Sequence, residues 1–526
     1  MRSSWMTWAG ALALALTAAG AAGQTLRWAS QGDLQTTDPH SQNESMTNAM
    51  NSHVYETLVV FGKQLEFTPG LATEWTRVEP TLWRFKLRPG VKFHDGTPFS
   101  ADDVVFSMQR AAQGSSDIKV YAQALGEVRK VDALTVEFRQ PQLDPIFLNH
   151  LSTVFVMSKA WCERHQATRP LDFKAKEEGY ASLHQNGTGP FVLVARQPDV
   201  KTVYKRNPAW WGRFEGNVQE VVYTPVKSDA TRSAALISGE LDFVLDPVPQ
   251  DIPRLRNTPG VKVVDGPENR ILFVGMDQSR ERLLYGKVPG GRNPFKDLRV
   301  RKALYQAIDI ETIKTKLMRG QSVPTGALTP SPLGSYNDPA LERRLPYDLA
   351  AAKRLMAEAG YPQGFEVTMD CPNNRYVNDE EICLALAAMW SQLGVKVKVN
   401  SMPRTLYFPK VQRYDTSLYL LGWGGATTDA EIIFGPVMRS RGTGGIGSWN
   451  FGGVANARFD GLAVASAREP DAGKREALVK AALAEYQQQV HLIPLHRQVI
   501  PWAARSNVTV VHRPDNWLVW QWVTIR

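Results

Sequence analysis

Cysteine is scarce in this chain of 526 residues: Cys162, Cys371 and Cys383 are the whole complement. Three are too few for a disulfide scaffold, and no zinc-ligand spacing is present, so no metal site is expected. Cys371 and Cys383 stand across a short loop and the first turn of a helix. In an oxidising compartment they either pair or remain two inert buried thiols. Runs of like charge are also missing. The net charge of +9 comes from 61 Lys and Arg scattered among 52 Asp and Glu, without the clustered stripe of a nucleic-acid interface, so no nucleic-acid partner is expected. Beyond the amino terminus no segment is apolar and long enough for a bilayer span of ~20 residues.

Linear catalytic motifs are missing too. Residues 442–447 read GTGGIG, the letters of a dinucleotide fingerprint, but the physics needs a following apolar helix and Ser448-Trp449-Asn450-Phe451 reads as a loop. Ser116 and Lys119 have the serine-lysine spacing of penicillin-binding enzymes without the companion elements. There is no phosphate-binding loop, paired-histidine zinc helix or nucleophile elbow. The nine histidines are dispersed, and His491 and His496 read as satisfied edge or core residues. No catalytic residue and no cofactor is assigned. Active sites often lack linear motifs, so an enzyme on this scaffold remains a competing reading, with Ser116 as its test residue.

What is present begins with Arg2, an apolar stretch over 9–16 and a small-residue tail ending in Ala21 and Gly23. That is the order of a secretory signal peptide, residues 1–23, cut near Gln24. It predicts an exported, periplasmic protein. About 500 residues remain, more than one core usually organises. Trp83, Phe85 and Leu87 alternate with basic residues, Pro89-Gly90 turns the chain, and Val91 and Phe93 alternate again, which reads as a hairpin. Ser100 and Asp103 form a capping box for the next helix. Ser228 caps a helix that stops at Gly239, and Asp348 caps one that stops at Gly360. A further helix from Asp379 lies between alternating strands at Phe365–Met369 and Val395–Val399, a strand-helix-strand unit that predicts an α/β protein.

Several stretches together resemble a known family. They are LATEW at 71–75, WRFKLRPGVKFHDGTPF at 83–99, ADDV at 101–104, GTGPF at 187–191, NPAWWG at 207–212, SGELD at 238–242 and PFKDLRVRKAL at 294–304. The mature chain is similar to family 5 bacterial extracellular solute-binding proteins, the dipeptide, oligopeptide, glutathione and nickel-chelate receptors of ABC importers. Most of the motif residues read as fold determinants rather than ligand contacts.

The resemblance implies a two-lobed α/β periplasmic binding protein (type II, cluster C-like) with an extra domain in the amino-terminal lobe. Lobe 1 would comprise 24–61, 186–275 and 497–526, the extra domain 62–185, and lobe 2 276–496. It implies a monomer that encloses a peptide or peptide-like small molecule between lobes and presents it to the permease subunits at the inner membrane. It also names site residues: Trp423 with Gly424 and Gly425 as a flat wall, Arg375 for a ligand carboxylate, and Tyr55, Trp449 and Asn450 beside them. Peptide receptors carry an acid three positions after the tryptophan, where this chain has Ala426. Asp429 is the nearby carboxylate expected to replace it. This departure opens the ligand class to metal-chelate, glutathione-like or opine-like compounds, and leaves a chaperone or sensory role as a further alternative.

Overall fold

The computed structural model describes residues 24–526 except 174, 331–337, 374, 426, 444 and 445, together with the side chains at 404 and 405. The expected signal peptide, Ala426 and the middle of the glycine loop lie outside the described residues. The frame is one twelve-stranded mixed sheet. At one end Gln24–Ser30 lies parallel to both Val218–Pro225 and Phe243–Leu245. At the other, Glu366–Pro372 lies parallel to Lys396–Met402 and to Leu418–Gly424. The first of these parallel pairs is the expected crossover, made by helix Asp379–Ser391, which buries Ile382, Leu386 and Trp390.

Two long strands run through the middle. Val261–Met276 and Leu492–Arg505 pair antiparallel, but their register shifts between Pro267 and Ile271. On one side of the shift Ile500, Trp502 and Ala504 join a core built with Trp28, Tyr223 and Trp520. On the other, Leu272, Val274 and Met276 face one core and Ile271 and Phe273 another, so both faces of this half are buried. The alternation follows from the period-2 pleat of a strand. The two strands therefore join two lobes with separate cores.

A four-stranded antiparallel sheet, in the order Ala72–Glu79, Leu82–Leu87, Thr135–Arg139, Glu127–Asp132, packs on its own hydrophobic cluster. The hairpin expected from Trp83 to Phe93 does not form. Leu82–Leu87 is a strand, but Ala72–Glu79 and Thr135–Arg139 occupy its two edges. Val91 and Phe93 enter the same core from a turn closed by the Phe93 N–H on Thr97 O at 2.8 Å. Alternation reports which face a side chain takes; it carries no information on which strand fills the edge. The helix ends follow the sequence more closely. Ser100 and Asp103 make a reciprocal capping box, Ser228 caps Asp229–Ser238 before Gly239 at φ 86°, and Asp348 caps Leu349–Glu358.

His491 is satisfied, between Gln278 and Asn456. His496 is not: it is fully buried and neither ring nitrogen has a partner among the described residues. Burial pushes it down to about 3, so it sits in the core as a neutral ring. Its place in a strand with both faces covered, not its polarity, determines its surroundings.

Candidate ligand-binding cleft

The motif stretches at 71–75, 83–99, 187–191 and 207–212 meet around one buried segment, His53–Thr57. Its backbone accepts Gly189 N–H at Val54 O and Phe191 N–H at His53 O, both at 2.9 Å. A Cβ on Gly187 would lie 1.9 Å from Val54 O, which is why glycine stands there. His94, from the long motif, holds the 187–191 stretch through Nε2 on Gly189 O at 3.0 Å. The outcome is a fixed seat for Glu56. Its carboxylate accepts Trp210 Nε1 at 3.0 Å, Trp211 Nε1 at 2.8 Å and Thr188 Oγ1 at 2.8 Å. Burial nevertheless dominates and pushes Glu56 up to about 7.

Glu56 borders a cavity of about 880 Å³ whose walls come from both lobes. Lobe 1 supplies His53, Tyr55 and Glu56, with Trp210 and Trp211. The carboxy-terminal segment adds Arg513, Trp517 and Trp522, and lobe 2 adds Arg375, Trp423 and Gly424. His53 stacks on Trp520 with centroids 3.6 Å apart, and burial pushes it down to about 3, so it is a neutral wall.

The floor is the crossing itself. The register shift leaves Glu268, Asn269 and Arg270 out of the ladder with Leu492–Arg505, and all three line the cavity. Pro267 has no N–H to continue that ladder. Arg270 Nε donates to Glu268 Oε1 at 3.0 Å, and Gln498 Nε2 donates to Glu268 Oε2 at 2.9 Å. Burial works against the Arg270 charge, but Glu268 and the nearby Tyr376 outweigh it and raise its pKa.

Strand Leu418–Gly424 delivers the tryptophan. Gly424 pairs with Arg270, and a Cβ there would lie 2.1 Å from Asn269 O. A Cβ on Gly422 would meet the Tyr376 ring at 2.6 Å, and the Tyr376 hydroxyl donates to Gly422 O at 3.2 Å. This contact sets the position of the neighbouring Arg375. The Trp423 ring is oriented by Nε1 donating to Ile432 O at 2.6 Å.

Of the residues expected from sequence, Tyr55, Arg375, Trp423, Gly424 and Gly425 thus share one cavity. Trp449 stands behind Trp423, edge-on at 5.1 Å. Asn450 is buried and holds its own loop, donating to Arg439 O and Val454 O and accepting Val454 N–H. Asp429 is a correction: it is absent from the cavity lining and its two oxygens pair with Arg475 at 2.8 and 2.9 Å. A guanidinium on helix Ala472–Gln488, far away in sequence, claims the carboxylate that the resemblance had offered to a ligand. Ser116, the test residue of the enzyme reading, is buried and donates to His40 O at 3.1 Å. Sequence reasoning passed over Glu56 and the Glu268-Asn269-Arg270 floor. The legible signal for the floor was a proline inside a long strand followed by three polar residues.

Among the described residues no group of three His, Cys, Asp or Glu is placed to hold a metal, and no helix is long and apolar enough to cross a membrane. The structure joins Cys371 to Cys383, with Cα atoms 6.5 Å apart. What the cleft has is shape, aromatic walls and fixed charges, the equipment of a binding site.

This chain is similar to known proteins in sequence and fold. Residues 66–445 match the family pattern described as bacterial extracellular solute-binding proteins, family 5 middle. The heme-binding protein A of Haemophilus influenzae is 28% identical over 477 residues, spanning 86% of this chain and 83% of that protein. The dipeptide-binding protein of Escherichia coli is 27% identical over 462 residues, 82% of each chain. The structure of the ABC transporter-associated periplasmic binding protein of Helicobacter pylori, in complex with the peptide STSA, superposes with a TM-score of 0.74. It is 22% identical, covering 94% of this chain and 98% of that one. With an interlobe cleft lined in part by the matched residues and the pattern spanning most of its length, this chain belongs to the family 5 bacterial extracellular solute-binding proteins.

Proposed function

We propose that this protein is the substrate-binding component of an ABC importer and captures a peptide or peptide-like solute between its lobes. It is exported through a signal peptide at 1–23, works as a periplasmic monomer, and hands its solute to the membrane permease. Residues 62–185 form the extra domain on this reading. Tyr55, Arg375, Trp423, Gly424 and Gly425 touch the solute, while Trp449, Asn450 and Asp429 support the wall from behind. The observation that carries the reading is the cavity of about 880 Å³ floored by the strand crossing and walled by both lobes. Its size is that of a small-molecule site, and a solute touching both walls favours the closed arrangement by the difference between its affinities for closed and open states. Family membership and the peptide named for two of the relatives support the same class.

Thermal-shift screening of di- to pentapeptides against the purified mature chain, followed by calorimetry on the hits, tests this. A saturable shift with at least one peptide is expected. Stabilisation by a metal chelate or a sugar, with none by any peptide, refutes the peptide assignment.

A further inference from the structure

We infer that the cleft selects solutes that carry a carboxylate and need no ammonium group, and that Arg270 receives that carboxylate. This rests on the reading of the cleft as the solute site, and narrows the class of solute to aromatic acids and amino-blocked peptides.

Hydrogen-bonding capacity along the cavity is uneven: the acids are engaged and a donor group is left over. Every interior carboxylate is already engaged. Glu56 accepts three donors. Glu268 takes Arg270 on one oxygen and Gln498 on the other. Asp515 is forked by Arg513, with the two side chains 4% and 6% exposed. The other two acids, Glu66 and Glu215, are exposed, and Glu215 pairs with Lys63. An ammonium brought into this cavity would lose its water and meet interior acids that already accept hydrogen bonds; Glu56 alone of them is paired with no cation among the described residues, and burial disfavours its anion.

Donor capacity is left over. Arg270 uses only Nε toward Glu268, and neither of its terminal nitrogens has a partner among the described residues. Its side chain is 16% exposed, and the cavity is where the exposure falls. Two parallel N–H groups on a buried guanidinium match the two oxygens of a carboxylate. Glu268 holds the fork in place, and Arg375 adds a second positive charge to the same cavity.

A neutral acceptor lies beside this fork. Asn269 is 1% exposed; its amide nitrogen donates to Gly425 O and to Thr427 O, which fixes the amide orientation. Its Oδ1 has no partner among the described residues and is closed off from solvent, while the residue itself lines the cavity. An uncharged acceptor at this depth suits an amide N–H better than a desolvated ammonium. The remaining wall is aromatic: five of the protein's 15 tryptophans line the cavity. Flat apolar faces bind an aromatic or extended acyl body.

The test is calorimetric titration of the mature chain with Phe-Gly, N-acetyl-Phe-Gly and N-acetyl-Phe-Gly amide. The acetylated acid is expected to bind at least as tightly as the free amine, and its amide at least about tenfold more weakly. Arg270→Gln should weaken the acetylated acid by a similar factor and leave the amide unchanged. Arg270→Lys keeps the charge beside Glu268 and should retain the fold while losing the fork, a check against a merely structural effect. Free Phe-Gly binding tenfold tighter than its acetyl form overturns the inference and leaves the peptide reading intact. Should none of the three bind, the di- to pentapeptide screen decides the peptide reading, and 3-phenylpropionate against its amide decides the inference. Preference for the acid supports it, and equal binding or no binding overturns it.

Discussion

Replacing Glu56 with glutamine should change the pH dependence of stability more than stability itself. In the folded protein burial pushes the Glu56 carboxyl up to about 7, against Trp211, Thr188 and Trp210, which favour its ionised form; its ordinary value is 4.5. The fold therefore binds this proton more tightly than the unfolded chain does. The sign follows: the stabilising effect is fully present below the unfolded value and is lost as pH rises through the folded one. At ~1.4 kcal/mol per pH unit, the loss between pH 5 and pH 8 amounts to about 2 to 3 kcal/mol. His40, His53 and His496, each pushed down to about 3 by burial, act in the opposite sense over part of the same range. The comparison must accordingly be between wild type and variant. In the Glu56→Gln variant the new amide nitrogen would face one of the N–H donors that now meet a carboxylate oxygen, a pH-independent cost of ~1 kcal/mol. Urea unfolding of both proteins at pH 5, 6, 7 and 8, followed by tryptophan fluorescence, supplies the midpoints. The variant should gain on wild type by about 2 to 3 kcal/mol across the range. Parallel pH curves for the two proteins would refute the argument that burial governs this carboxyl.

Asp429→Ala should lower stability by about 2 kcal/mol, because the ion pair it breaks with Arg475 is largely shielded from water, and should leave solute affinity unchanged; melting and calorimetry on one preparation separate the two effects. A tenfold affinity loss at unchanged stability would return Asp429 to the ligand. Gly424→Ala puts a methyl 2.1 Å from Asn269 O, so it should cost at least about 2 kcal/mol and weaken binding by parting the strands at the cleft floor. Gly461→Ala is its control: it lies in helix Ala457–Arg468 with nothing within 4 Å of the new Cβ. There the melting temperature should rise, by the equivalent of about 0.5 to 1 kcal/mol.

Features that depend on neighbours in the chain were legible from residues alone. The capping box at Ser100, the stop at Gly239 and the strands around Asp379–Ser391 each arise from side chains within a few positions of one another. The hairpin at Trp83 failed because its evidence was equally local, while the edges of Leu82–Leu87 were claimed by segments on either side in sequence. The family's stretches located Trp423 and Arg375 at the cleft, since glycines and a tyrosine nearby hold both.

The class of fold, the helix ends and the family follow from the residues alone, because periodicity, caps and motif order are properties of adjacent residues. The ownership of charge is settled in the folded molecule. Asp429 belongs to Arg475, Glu56 to two tryptophans and a threonine, and Glu268 to Arg270 and Gln498. Gln498 lies 230 positions from Glu268, and a carboxylate's partner is set by distance in space and by burial. The feature that names the expected solute, a guanidinium held by Glu268 with both terminal nitrogens left over, therefore exists only once the two long strands have crossed.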